Sequence, residues 1–141
     1  MLGVQSYLIF NGSCEDAMKL YCDVFGGDIQ YVMRYKDAPQ NAGMDTPANW
    51  KEKVMHANFI IRGVQLMASD SHPGSEIKIG NNVHLCVNYQ KDEKMDDAFN
   101  KLSQGGKVLM PLQNTFWDAR FGMIQDRFGN SWMFSQQLET K

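Results

Sequence analysis

His84 and Cys86 stand two positions apart in a run, 83–89, that reads as a β-strand, so both side chains leave the same face. An imidazole titrates near neutral pH and serves as a general base or a metal ligand. A thiol becomes a nucleophile when it ionises. Gln5 and Tyr7 on a second strand-like run, with Met67 and Met133 on two more, would add an amide, a phenol and two thioethers. Trp117 and Arg120 lie close to Phe121, and a Trp–Arg pair can stack over an aromatic or anionic ligand. The same residue types are what a dimer interface favours.

Each of these residues also has a plainer reading. His84 is the best single candidate for a catalytic group, and equally a packed strand histidine bonded to a neighbour. Cys86 is either a reactive thiol or a packed, reduced one. Trp50, in a long insert, is a lid, a dimer contact or an anchor that tethers the loop. His56 begins a strand and faces either the same cleft or solvent, whereas His72 precedes Pro73 in a linker and reads as solvated. No nucleophile has an adjacent base, and no carboxylate pair is apparent, so no catalytic constellation is spelled out by residue type alone.

Two helices organise these residues. The first runs from Ser13, its N-cap with Asp16 three positions on in a weak capping box, to Gly26-Gly27. Its apolar stripe is Cys14, Ala17, Met18, Tyr21, Val24 and Phe25, which buries one face. The second starts near Asp92, carries Met95, Ala98, Phe99 and Leu102, and stops at Gly105-Gly106. A strand-like run precedes each helix (4–10 and 83–89), and three follow each: 29–35, 54–61 and 64–69, then 108–112, 121–125 and 131–135. Arg62-Gly63 and Phe128-Gly129 read as hairpin turns. The order βαβββ therefore occurs twice within a single domain over 1–141, as module 1 (about 4–70) and module 2 (about 80–136). The insert 36–53, with Pro39, Gly43 and Pro47, lengthens the first copy.

In each module the helix must cover one face of the sheet, and alternation sorts the side chains. Leu8, Phe10, Leu66, Leu85, Val87, Tyr89, Trp132 and Phe134 belong on the helix side. Gln5, Tyr7, Ile9, Gln65, Met67, Ser69, His84, Cys86, Asn88, Ser131, Met133 and Ser135 belong on the other. That second set mixes apolar and polar groups, as small-molecule pockets do, and the pairing of the modules is expected to enclose such a pocket. The alternative is a filled barrel interior.

Composition narrows the classes. The chain has 141 residues, 43% apolar and 21% charged, with a net charge of −2, and this suits a folded domain. Lys51, Lys53 and Arg62 form the one modest basic cluster, far short of a phosphate-tracking surface, so no nucleic-acid partner is expected. No apolar run approaches the ~20 residues needed to span a bilayer, and no secretory leader is evident, so no membrane partner is expected. Cys14 and Cys22, eight positions apart on one helix, would lie roughly 12 Å apart, too far for a disulfide. Together with Cys86 they read as reduced thiols of a cytoplasmic protein.

The stretches Tyr7-Leu-Ile-Phe-Asn-Gly-Ser-Cys-Glu-Asp-Ala17, Tyr21-Cys-Asp-Val-Phe-Gly-Gly27, Val54-Met-His-Ala57, Leu66-Met-Ala-Ser-Asp70 and Phe121-Gly-Met-Ile-Gln-Asp-Arg-Phe-Gly-Asn-Ser-Trp132 carry a resemblance over nearly the whole chain. The sequence resembles the PhnB-like branch of the glyoxalase/bleomycin-resistance/dioxygenase (vicinal oxygen chelate) superfamily. The resemblance implies an α+β fold, with two tandem βαβββ modules forming a curved eight-stranded barrel-like sheet and helices outside. It also implies a homodimer with a cleft. The superfamily's metal ligands, carried over, fall on Gln5, Met67, His84 and Met133. Only His84 is a good ligand for a divalent ion, since thioethers suit soft monovalent copper. No metal or other cofactor is therefore expected. Members of this branch often bear a ubiquinone methyltransferase label, yet no glycine-rich strand-to-helix turn for a nucleotide-like donor is present. The expectation is a small-molecule-binding protein that acts by sequestration or sensing. The alternatives are a metal-dependent or acid–base lyase, isomerase or dioxygenase, and a purely structural dimer.

Overall fold

The computed structural model describes residues 3–39 and 46–138. The chain divides into two compact units, Met1–Lys78 and Ile79–Lys141. The first contains β1 (Tyr7–Phe10), α1 (Cys14–Phe25), β2 (Gly27–Arg34), β3 (Val54–Ile61) and β4 (Val64–Asp70). The second contains β5 (Leu85–Tyr89), α2 (Asp96–Ser103), β6 (Lys107–Asn114), β7 (Ala119–Gln125) and β8 (Ser131–Gln137). The sheets have the same topology, β1-β4-β3-β2 and β5-β8-β7-β6. In each, the first strand pairs parallel with the last, and the other ladders are antiparallel. The βαβββ repeat is thus real, with one four-stranded sheet per module.

Each core lies between helix and sheet. In module 1, α1 buries Cys14, Ala17, Met18, Tyr21 and Phe25, and Tyr21 stacks on Phe59 of β3 at 6.3 Å between ring centroids. In module 2, Phe99 of α2 meets Phe134 of β8 edge-on at 5.2 Å, and Tyr89 of β5 stacks on Phe134 at 6.2 Å. Trp132 and Ile124 are fully buried beside them.

Both Gly-Gly pairs have a double purpose. The first glycine of each, Gly26 (φ 79°) and Gly105 (φ 76°), takes the left-handed backbone that ends a helix. The second lies against the neighbouring strand. A Cβ on Gly27 would fall 1.8 Å from the Ile60 carbonyl oxygen, and one on Gly106 would fall 2.1 Å from that of Gln125. No other residue fits there without moving the strand. Arg62 (φ 49°) and Gly63 (φ 78°) form the two-residue hairpin between β3 and β4, with positive φ at both positions as a type I′ turn requires.

Four local expectations are corrected. The Ser13 side chain makes no capping bond; instead Asp70, at the end of β4, accepts from the backbone N–H groups of Gly12 (2.8 Å) and Cys14 (2.9 Å). The second helix begins at Asp96, not near Asp92. Residues 90–93 are held in a turn instead, because Gln136 of β8 donates to the carbonyls of both Gln90 and Glu93. Phe128-Gly129 is no two-residue hairpin but part of a longer loop, 126–130, closed by Asp126 N–H to the Asn130 carbonyl (2.8 Å). Gln5 and His84 precede β1 and β5 and lie outside them.

The insert is fastened at its base: Tyr35 N–H bonds Lys53 O and Lys36 N–H bonds Lys51 O, each at 3.0 Å. Trp50 donates its indole N–H to the Ser71 carbonyl (3.0 Å), which is the tethering role. Gly43 of the insert lies outside the described residues. Among the described residues no helix is long and apolar enough to cross a membrane.

Candidate functional site

The face of each sheet opposite its helix holds most of the candidate residues, and the two faces are equipped differently. In module 1 the register aligns Tyr7, Met67, Asn58 and Tyr31 in one row across all four strands. Tyr7 is 42% exposed and Ile9 53%, so this face is open, while Phe10 on the opposite face of β1 is buried. The Tyr7 hydroxyl and His56 Nδ1 are hydrogen-bonded at 3.2 Å. Tyr31 flanks the same imidazole, 6.4 Å between centroids. His56 therefore belongs to the open face with Tyr7, a placement the sequence left undecided. Gln5 donates to Gln65 Oε1 (3.1 Å), and Gln65 donates to Gln30 Oε1 (3.1 Å), a chain of side-chain amides along the same module.

In module 2 the equivalent row is Cys86, Met133, Met123 and Met110. Cys86 is exposed, and the three methionines are half-buried. Burial of part of the Cys86 side chain pushes its thiol pKa up, so the group is a thiol at neutral pH and a poor nucleophile. Cys14 is shifted further up, by burial first and then by the charges of Asp70 and Glu15.

His84 lies just ahead of this row. Its Nε2 is 3.2 Å from the Asn81 carbonyl oxygen, which can only accept, so Nε2 is the donor of that bond. Nδ1 is buried and has no hydrogen-bond partner among the described residues.

Trp117 and Arg120 are not brought together. Trp117 is edge-on to Phe121 (6.1 Å) and to Phe116 (4.9 Å), whereas Arg120 pairs with Asp96 at the start of α2. Arg120 alternates with Phe121 along β7, so it leaves the helix side of the sheet. Beside Trp117 is a cavity of about 360 Å³ lined by Asn88, Tyr89, Trp117, Asp118, Ala119, Ser135 and Gln137. A second cavity of about 330 Å³ lies in module 1, between Trp50 of the insert and residues 72–76.

Two buried acids support these faces from behind. Asp70 accepts from Gly12, Cys14 and also Val54 N–H (2.9 Å), tying α1 and β3 to the end of β4. Asp126 accepts from Phe128 N–H (2.8 Å), Asn130 N–H (3.0 Å) and the Trp132 indole (2.8 Å). Asp70 is engaged by main-chain donors and Asp126 by main-chain and indole donors, which gives both an architectural role.

With this geometry in hand, the likeness to known proteins is specific. The sequence model of the 3-demethylubiquinone-9 3-methyltransferase family matches residues 3–135. The chain belongs to that family. A crystal structure of protein PA1353 from Pseudomonas aeruginosa is 38% identical, with a TM-score of 0.83, covering 97% of this chain and 98% of that one. A PhnB protein from Bacillus cereus, which carries the same methyltransferase description as the family, is 29% identical with a TM-score of 0.79, over 96% and 99% of the two chains. A glyoxylase/bleomycin resistance protein/dioxygenase domain from Frankia shares the fold, with a TM-score of 0.68 over 100% and 96% of the two chains at 13% identity. The PhnB-like branch and the glyoxalase-like tandem modules read from the sequence are therefore those of this family.

The metal ligands that the superfamily resemblance implies would fall on Gln5, Met67, His84 and Met133. Gln5 has its amide bonded to Gln65, Met67 and Met133 offer thioethers, and only His84 offers a strong donor to a divalent ion. Among the described residues no group of three or more His, Cys, Asp or Glu is placed to hold a metal ion. This donor set does not fit a catalytic divalent site, and no chemical step is derived through one.

The residues that sequence reasoning missed are Met110, Met123 and Asn58, whereas His56 was considered and left unplaced. Met123 was within reach, since it alternates with the buried Ile124 on a strand already identified. Met110 was hidden by an irregularity: the register shifts between Val108 and Met110, with Pro111 next to it on the edge strand β6.

Proposed function

We propose that the protein binds a small organic molecule, without a divalent metal, and acts by sequestering or sensing it. The cavity beside Trp117 carries this reading. Its volume of about 360 Å³ lies within the roughly 300–1,000 Å³ of small-molecule sites. Its wall joins an aromatic plane to a few polar groups, Asn88, Ser135 and Gln137, of the kind that orient a ligand. Trp117 is 54% exposed and already braced by Phe121, so a planar ligand would stack on a pre-formed surface. Methyl transfer from a nucleotide-like donor is not favoured. The two Gly-Gly pairs stop helices and admit a neighbouring strand, and neither forms a phosphate-binding turn.

A second reading rests on His84. With Nε2 donating, its Nδ1, buried and with no partner among the described residues, would be the atom that takes a proton as a general base does. The protein would then be an acid–base lyase or isomerase of the same fold.

Ligand-observed NMR against a panel of small aromatic and amphipathic compounds separates the two. The expected result is saturable binding, weakened about tenfold or more by Trp117→Ala, as for an aromatic anchor worth over about 1.4 kcal/mol, and retained in His84→Ala. Turnover of a bound compound that disappears in His84→Ala would replace this reading with the second.

A homodimer belongs to the same proposal. Val108, Leu109 and Phe116, on β6 and the β6–β7 connection, are 50%, 49% and 94% exposed. Sedimentation equilibrium should give twice the chain mass, and a monomer at micromolar concentration would contradict it.

A further inference from the structure

The row Cys86–Met133–Met123–Met110 places one sulfur side chain on each of four adjacent strands of one sheet. We infer that this row is a binding site for a soft monovalent cation, cuprous copper or silver, held by Cys86, Met133 and Met123. Neighbouring strands lie about 4.7–4.9 Å apart, and directly paired residues of an antiparallel ladder, as Met133 and Met123 are, have Cβ atoms about 4.5–5.5 Å apart. Met133 is paired on one side with Cys86 and on the other with Met123, so the three sulfur side chains share one face of the sheet with Met133 at their centre. Methionine has three rotatable bonds and can bring its thioether to a shared point. Thiolate and thioether donors select cuprous copper over the harder divalent ions. The site is accessible, since Cys86 is exposed and the methionines are half-buried.

A second observation points the same way. His84, two positions before Cys86, has a buried Nδ1 with no hydrogen-bond partner among the described residues. A soft ion drawn to the sulfur row would find this imidazole as a further donor. The row has no counterpart in module 1, where the equivalent positions are Tyr7, Met67, Asn58 and Tyr31. The topology therefore does not impose it. Binding is a ligand exchange without redox change: a Cu–S bond forms at Cys86 as its S–H proton passes to solvent. The supplied copper must already be cuprous. This inference goes beyond the organic-ligand reading, and its test uses the metal alone, so either can fail without the other.

The experiment is an anaerobic competition between the reduced full chain and a coloured cuprous chelator, with ascorbate present, and silver ion as a redox-inert check. One copper per chain is expected to leave the chelator. Its X-ray absorption should show a first shell dominated by about three sulfur scatterers. Met133→Leu and Met123→Leu conserve volume and should leave the unfolding midpoint nearly unchanged. Each should weaken copper binding by about tenfold or more, and Cys86→Ser by about a hundredfold, at or above the ~10–100-fold lost when only a supporting partner is removed. Cys22→Ser should change nothing. Failure of the wild type to compete, a nitrogen–oxygen shell, or undiminished affinity in the folded Cys86→Ser/Met133→Leu double variant would each overturn the site and leave the row as an apolar floor.

Discussion

The two modules share strand order, helix placement and paired glycines, yet their open faces carry different chemistry. Module 1 sets hydrogen-bonding rings there, Tyr7 against His56 with Tyr31 beside it. Module 2 sets a row of sulfur behind an aromatic lip, Cys86, Met133 and Met123 near Trp117 and Phe121. The difference shows which positions the fold dictates. The helix-facing side chains and the helix stops are held by packing, so they repeat. The opposite face is not held by that packing and differs between the modules, which is why family membership fixes architecture more firmly than activity.

The largest expected effect tests the shared part. Gly27→Ala and Gly106→Ala each drive a methyl group into a strand carbonyl. Each should cost about 3 kcal/mol or more by urea unfolding, in the range of severe backbone strain. A loss confined to one of them would mean that the modules are not equivalent where they look most alike.

The next effect should separate the modules. Asp70 binds three donors from two other segments, at the start of α1 and the start of β3, whereas Asp126 binds donors within its own loop and the Trp132 indole. Replacing either with Asn keeps one oxygen and loses an acceptor for buried donors. Asp70→Asn should cost about 3 kcal/mol and Asp126→Asn about 1.5 kcal/mol, since bonds to a charged acceptor contribute roughly 1.5–3 kcal/mol. Equal losses would show that long-range tying adds nothing.

A smaller effect is confined to module 1. Arg34 hydrogen-bonds Glu15 on α1 through both guanidinium nitrogens (3.2 and 2.9 Å). That hydrogen bond, chiefly, lowers the Glu15 pKa. A carboxylate whose folded pKa is lowered stabilises the protein above its unfolded pKa, and loses that contribution as pH falls through the folded value. The pair is partly exposed, so Glu15→Gln should cost under about 1 kcal/mol near neutral pH. The gap between variant and wild type should close in acid. A gap that widens there would reverse the sign of the argument.

Much of this was legible from sequence because it depends on local order. The 3.6-residue stripes found both helices, the alternation of Leu8, Phe10, Val87 and Trp132 found the faces, and the repeated Gly-Gly found the modules. What was missed depends on partners distant in sequence. Ser13 reads as a cap until Asp70 takes the donors from 56 residues away. Asp92 reads as a helix start until Gln136 pins the preceding turn. Arg120 reads as a ligand clamp until Asp96 takes it to the helix side. His56 could not be assigned to the open face without knowing that β3 lies beside both β2 and β4.

Thermal unfolding of chelator-treated protein, with organic compounds that bind by NMR and separately with manganese, iron(II), nickel or zinc, tests the central claim most directly. A ligand at ~100 times its dissociation constant stabilises by about 2.7 kcal/mol, a midpoint shift of several degrees. A metal-free site for an organic molecule should give that shift with an organic ligand, reduced in Trp117→Ala, and none with the four divalent metals. A shift that requires a divalent metal and vanishes in His84→Ala would contradict it.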